Sequence, residues 1–254
     1  MAVMTTYDAF LNRISGGFWR TTPFDQVTKG NMNNTTSPNS SFNALNKSLG
    51  TYTIPTLEAG VTSYIPTKVF IGSNTGCWLV ARQTLLGTLV LGTNTFTDGS
   101  AMPTVTEMNS SQQRAGLCIA EVSVARDGNA ASFTITYVDQ DGNAGETGAA
   151  CSVATSATVG QVCFAPLNTP DWGVRDLTSA ARSSGTGTGT LKFWGLEPIG
   201  MFASPSGKGE SEDFLMQCLN LFPLGVGDVI GFYEMTTTSS QGGCSGYLYF
   251  VGDS

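Results

Sequence analysis

The spacing of apolar and polar residues changes period several times along the chain, and each change predicts an element. Near the start, Tyr7, Phe10, Leu11 and Ile14 recur at the i, i+3, i+4, i+7 spacing of one helical face. This predicts a short helix from Thr6 to Ile14, stopped by Gly16 and Gly17. Phe18, Trp19 and Phe24 follow in a stretch with little regular pattern. The run from Asn31 to Asn46, dominated by Asn, Ser and Thr, is too polar to bury a core of its own. The segment therefore reads either as an aromatic-bearing arm that docks on a neighbouring subunit or as a cover over one end of its own sheet.

From Tyr64 onward the period shortens to two, and strand-like segments alternate with turn signals at the spacing of sandwiches and barrels. The predicted strands are Lys68 to Ile71, Cys77 to Ala81, Thr84 to Leu91, Gly116 to Ala125, Ser132 to Val138, Ala149 to Val153, Gln161 to Pro166, Gly173 to Leu177 and Thr190 to Leu196. In the clearest of them Phe133, Ile135 and Tyr137 alternate with Thr134, Thr136 and Val138, as in a half-buried strand. Asp141 and Gly142 then supply the chemistry of a tight hairpin turn, which needs positive φ. The run from Ser184 to Thr190, SSGTGTGT, reads as a loop or weak edge strand, since its glycines offer nothing to pack.

The last fifty residues have another texture. Ser211, Glu212 and Asp213 precede Phe214, Leu215, Cys218, Leu219 and Phe222, which predicts a helix with Ser211 as N-cap and acids at the positive end of its dipole. Pro223 and Gly225 end it. Asp228 to Met235 and Gly246 to Val251 read as a terminal hairpin around Gln241, Gly242 and Gly243. The expected fold is mainly β: an antiparallel, jelly-roll-like β-sandwich with an N-terminal arm and a short C-terminal helix plus hairpin. Residues 1–60 would form the helix, arm and linker, 61–200 the sandwich core, and 201–254 the helix and hairpin that complete the same domain.

Composition sharpens this picture. The 254 residues are 41% hydrophobic but only 12% charged, about half the usual share of a soluble domain. Ser, Thr, Asn, Gln and 31 glycines replace the missing ions, and these residues favour turns and strand faces over exposed helix. Charged groups are depleted at buried interface centres, so a surface so poor in ions suggests a subunit covered by companions. The net charge of −7, with twelve scattered Lys and Arg, argues against nucleic acid as a partner. With no run of eighteen apolar residues, no bilayer-spanning helix is expected. No secretory signal is expected from Met1 to Arg20 either, because Asp8 precedes Arg13 and no unbroken apolar stretch follows.

Candidate chemistry is sparse. Without histidine, neither a Ser-His-Asp nor a Cys-His arrangement exists. Cys77, Cys118, Cys151, Cys163, Cys218 and Cys244 form no CxxC pair, which removes the common zinc patterns. Three disulfides remain open beside the favoured reading of buried, reduced thiols that pack in a reducing compartment. A facing carboxylate pair for glycoside cleavage cannot be read from sequence, and nothing local favours it. Asp139, Asp141, Asn143 and Glu146 have the oxygen donors of a calcium loop, but the glycine and final Glu of an EF-hand are misplaced, and hairpin turns use the same residues. Ser206, Gly207, Lys208 and Gly209 lack the leading glycine of a phosphate loop. No catalytic, cofactor or metal residue is therefore assigned. Among the tryptophans, Trp78 and Trp194 lie in apolar strand patterns and read as core. Trp19 and Trp172 lie in arm or turn contexts and read as contact residues.

Three stretches, VARQTLLGTLVLGTNTF (Val80 to Phe96), FTITYVDQDGNAGETG (Phe133 to Gly148) and WGVRDLTSAARSSGTGTGTLKFWGL (Trp172 to Leu196), resemble a loosely defined group of tailed-bacteriophage virion proteins. The likeness covers about the middle half of the chain, in short motifs. It implies a head decoration or cement protein with a jelly-roll-like sandwich, acting without cofactor, often as a trimer, and bridging subunits of the major capsid protein. Gly173, Val174 and Arg175 would then mark a structural turn. The expectation is a non-enzymatic capsid-stabilising protein, assembled in the host cytoplasm and located in the virion. Its contacts would run through Phe18, Trp19, Phe24, Trp172 and Arg175. The alternative is a receptor- or glycan-binding module of a phage tail, fibre or adhesin.

Overall fold

The computed structural model describes residues 19–24, 46–54, 63–73, 76–107, 110–153, 155, 157, 159–204, 209–213, 223–235 and 244–253. Among these, seventeen strands follow one another without a helix. The first seven are β1 (Trp19–Phe24), β2 (Asn46–Thr53), β3 (Ser63–Ser73), β4 (Gly76–Val90), β5 (Thr95–Asp98), β6 (Thr104–Glu107) and β7 (Ser110–Gln113). Next come β8 (Leu117–Val124), β9 (Ala131–Asp139), β10 (Ala144–Thr147), β11 (Cys151–Val153) and β12 (Val162–Phe164). The chain ends with β13 (Val174–Gly185), β14 (Thr190–Ser204), β15 (Gly209–Asp213), β16 (Val229–Met235) and β17 (Cys244–Asp253).

All pairings among the named strands are antiparallel. The largest sheet runs β12-β8-β14-β4-β16-β2, with β5 on the far half of β4. Facing it is a smaller sheet centred on β9, which carries β10 and β11 along one edge and β13 along the other. The chain's outer strands form a third sheet, β1-β17-β3-β15, and β6 pairs with β7 alone.

The sandwich follows from alternation in β9 and its neighbours. Ala131, Phe133, Ile135, Tyr137 and Asp139 point inward and are buried, while Ser132, Thr134, Thr136 and Val138 stay half-exposed. From the opposite sheet Cys118, Ala120 and Val122 of β8, Leu86 and Leu89 of β4, and Leu191 and Phe193 of β14 meet Phe133, Ile135 and Tyr137 in one cluster. The other face of the large sheet is covered too. Leu79, Ala81, Ile119, Val162, Leu196 and Tyr233, drawn from five strands of that sheet, form a second cluster with Leu117 and Trp194 packed against it. The end strands β2 and β12 also approach each other, so the sheet curls around this cluster.

The structure bears out an antiparallel β-sandwich and most of the predicted strands, including the hairpin between β9 and β10. There Gly142 adopts φ +95°, and the Asp139 amide donates to the Asn143 carbonyl at 3.0 Å. Four readings are corrected. Ser211, Glu212 and Asp213 do not cap a helix but lie in β15, opposite Phe70, Val69 and Lys68. Pairing with β3 takes these three residues; the rest of the predicted C-terminal helix, residues 214–222, like the predicted helix at 6–14, lies outside the described residues. The two C-terminal strands exist but are not a hairpin, because β16 joins β2 and β4 whereas β17 joins β1 and β3. Trp19–Phe24 is a strand against β17, despite lacking an alternating pattern. Finally, β13 continues far beyond Leu177, through Ser184 and Gly185, because β9 offers it a full-length partner.

Candidate functional site

The most exposed aromatic side chain among the described large hydrophobics is Trp172, 60% exposed. Its setting is built from two loops. The first is the tip of the β9–β10 hairpin, where the Asp139 carboxylate accepts hydrogen bonds from the Asp141 and Asn143 amides at 2.9 and 2.8 Å and from Asn143 Nδ2 at 2.7 Å. Burial by itself would raise the Asp139 pKa, but these donors and the Gly142 amide outweigh it and hold the carboxyl below its ordinary value. The oxygens that a calcium loop would offer thus shape a turn.

The second loop runs from Asn168 to Gly173 and contains the cis Thr169–Pro170 bond. Tyr137, buried in the core, donates its hydroxyl to Asp171 Oδ2 at 2.6 Å and accepts from the Asn168 amide at 2.9 Å. Burial first, and donation to Asp171 second, push its pKa up to about 12. Gln140 then locks the two loops together. Its Oε1 accepts from the Trp172 and Gly173 amides at 3.1 and 3.3 Å, and its carbonyl accepts from Arg175 Nε and Nη2 at 3.0 and 2.7 Å. The Tyr137-x-x-Gln140-Asp141-Gly142 hairpin and the Gly173-Val174-Arg175 segment, both singled out in sequence, are partners in one junction that holds the Trp172 backbone in place.

Trp172 borders a groove of about 250 Å³ with Arg114, Leu117, Leu196, Glu197 and Pro198. Beneath it lies a buried ionic junction. Glu197 Oε1 accepts from Arg114 Nη1 at 2.9 Å, and Oε2 accepts from Arg82 Nε at 2.6 Å and is ion-paired with Arg82 Nη2. Arg82 Nη1 also reaches Asp228 Oδ2 at 3.4 Å, an oxygen that accepts the Gly225 amide at 2.8 Å. The cluster ties β4, β14 and the approaches to β8 and β16, because a buried guanidinium and carboxylate each require a partner. The groove thus combines an aromatic wall, an aliphatic floor and the half-buried Arg114, a surface suited to contact.

The expected contact residues are distributed unevenly. Trp172 and Arg175 meet at the Gln140 junction. Trp19 and Phe24 lie in β1, opposite Val251 and Gly246, and Phe18 lies outside the described residues. Of the two tryptophans expected in the core, Trp194 is partly buried and donates to Glu121 Oε2 at 2.6 Å, while Trp78 lies in β4. Sequence reasoning missed Gln140, Arg114 and Glu197. Glu197 did carry a signal, as the one acid in the otherwise apolar run from Phe193 to Ala203, the mark of a buried charge that must be paired.

No family model matches the chain, and no curated protein does. Solved structures similar to it include a mutant VP2 protein of infectious bursal disease virus, 10% identical over 93% of this chain and 77% of that chain, with a TM-score of 0.16. Another is the VP2 subviral particle of the same virus, 11% identical over 93% and 80%, with a TM-score of 0.13. At these TM-scores the likeness to viral particle proteins is weak and fixes no residue-by-residue correspondence.

Proposed function

We propose that the chain is a structural subunit of a virus particle that docks on other virion proteins through the Trp172 loop. The observation that carries this reading is a 60% exposed indole on a backbone pinned by Gln140, beside a groove. A preorganised tryptophan buries much area at little entropic cost and is the commonest kind of interface anchor. The outer face of the β9 sheet fits the same role. It presents Ser132, Thr134, Thr136, Ser152, Ser179 and Ser184, a pleated surface made mostly of hydroxyls, with Val138 and Asp176 at one end.

In its fuller form, resting on the resemblance to tailed-phage proteins, the subunit binds the outside of a capsid, bridges major capsid subunits and oligomerises as a trimer. It works without catalysis or cofactor and resides in the virion after assembly in the host cytoplasm. Mass spectrometry of purified particles tests the location. Cosedimentation with particles tests the contact: Trp172→Ala is expected to weaken binding about thirtyfold, as loss of a hot spot does. Saturation of particles by the variant at the wild-type concentration would refute the assignment. Residues Phe18, Trp19 and Phe24 contribute in this reading, but deleting them also removes β1 from β17, so Trp172 gives the cleaner test.

A second reading is favoured by the same exposed indole beside the half-buried Arg114: stacking of a host glycan by a receptor-binding module. A glycan-array signal abolished by Trp172→Ala, with particle binding absent, would select it.

A further inference from the structure

We infer that Cys151 and Cys163 are a latent disulfide that bolts the two sheets of the sandwich together when the protein meets a small-molecule disulfide oxidant. Cys151 lies in β11, opposite Phe133 of the β9 sheet, and Cys163 lies in β12, opposite Ala120 of the large sheet. The sulfurs thus belong to different layers, and they stand 3.6 Å apart in the core. A disulfide needs about 2.05 Å, so rotamer adjustment and a small local shift close the gap. The surroundings are compact, with Ala120, Ala157 and Ala165 in the same cluster. Close by, a Cβ on Gly148 would stand 2.1 Å from the Pro166 carbonyl oxygen, which shows how nearly the two segments touch.

In a reducing compartment the pair stays as free thiols, the state in which Cys118, Cys151 and Cys163 are found. Outside it, one thiolate attacks the oxidant's S–S bond, forms a mixed disulfide and releases one reduced thiol. The second thiolate then attacks the protein sulfur of that mixed disulfide and releases the other reduced thiol. Both protein thiols lose a proton and the oxidant takes up the two electrons. Burial holds the Cys163 thiol well above its ordinary pKa, so the fully folded state reacts slowly. The path in is local opening, since β11 and β12 are each only three residues long and each pairs with a single strand. This inference does not depend on the virion reading.

The test is treatment of the folded, full-length reduced protein with oxidised glutathione, followed by peptide mapping without reductant. A Cys151–Cys163 linked peptide is expected, with a thermal midpoint raised by about 5–10 °C over the reduced protein. Urea well below the unfolding midpoint should speed its formation. Cys163→Ala should abolish both link and shift, whereas Cys118→Ala should keep both. Cys151 and Cys163 both remaining alkylatable on unfolding would overturn the inference. So would a bridge made to Cys118, or a Cys151–Cys163 link that leaves the midpoint unchanged. The wild-type map decides the matter even if a variant fails to fold.

Discussion

Phe133 and Phe193 meet edge to face, with ring centroids 5.3 Å apart and planes at 69°, and they come from opposite sheets. Both are fully buried, so this pair joins the layers at the centre of the larger core cluster. Aromatic pairs in this geometry add to the stabilisation of burial itself. Phe193→Ala leaves a cavity between close-packed sheets and is expected to cost about 3–5 kcal/mol in denaturant unfolding. A loss below about 1 kcal/mol would mean that the layers are not held there.

Glu197 supports two guanidinium groups at once. Glu197→Ala takes the buried carboxylate from a buried guanidinium, whose contact to Asp228 is longer, and should cost about 3–5 kcal/mol. Replacing Arg82 and Glu197 together by Met and Leu should recover part of that loss, since the buried Arg82 charge goes with its partner while Arg114 still loses Glu197. Chemical denaturation of the single and double variants measures the difference. A double variant as unstable as Glu197→Ala would contradict the account.

Tyr233 is buried, and its hydroxyl donates to Gln83 Oε1 at 2.5 Å across β16 and β4. Tyr233→Phe deprives a buried acceptor of this donor, and a destabilisation of about 1–3 kcal/mol is expected. Equilibrium unfolding should show it without any change of slope, because the surface exposed on unfolding is unaltered.

Asp139 links stability to pH. Its folded pKa is depressed below the unfolded value near 3.8, so its contribution is fully present above that value and is lost as pH falls from it through the folded pKa. Asp139→Asn should therefore lower the thermal midpoint at neutral pH, with the gap to wild type narrowing below about pH 4. A gap that stays constant down to pH 2 would show that the charge has no part in the turn.

Gln140→Ala removes the acceptor of the Trp172 and Gly173 amides but leaves its own carbonyl to Arg175. A modest stability loss of about 1 kcal/mol is expected. Particle binding should fall further than this, because the tryptophan loses its fixed presentation. Wild-type binding by a folded Gln140→Ala protein would separate the junction from the contact.

Local pattern and composition determined that this chain is built of strands, because a period of two needs only that one face be drier than the other. Ser132 to Val138 could be read in this way, and so could the Asp141-Gly142 turn, whose chemistry is contained in a few neighbouring residues. Tertiary pairing decided what local pattern could not. Ser211 to Asp213 has a good helix start yet lies against β3, and β16 and β17 are neighbours in sequence yet belong to different sheets. Trp172 and Arg175 stand out in the sequence, but their structural partner Gln140 lies more than thirty positions away, and Glu197 meets Arg82 across 115. Hydrogen bonds and ion pairs between distant segments depend on how strands are ordered in a sheet, and that order is a property of the packed whole.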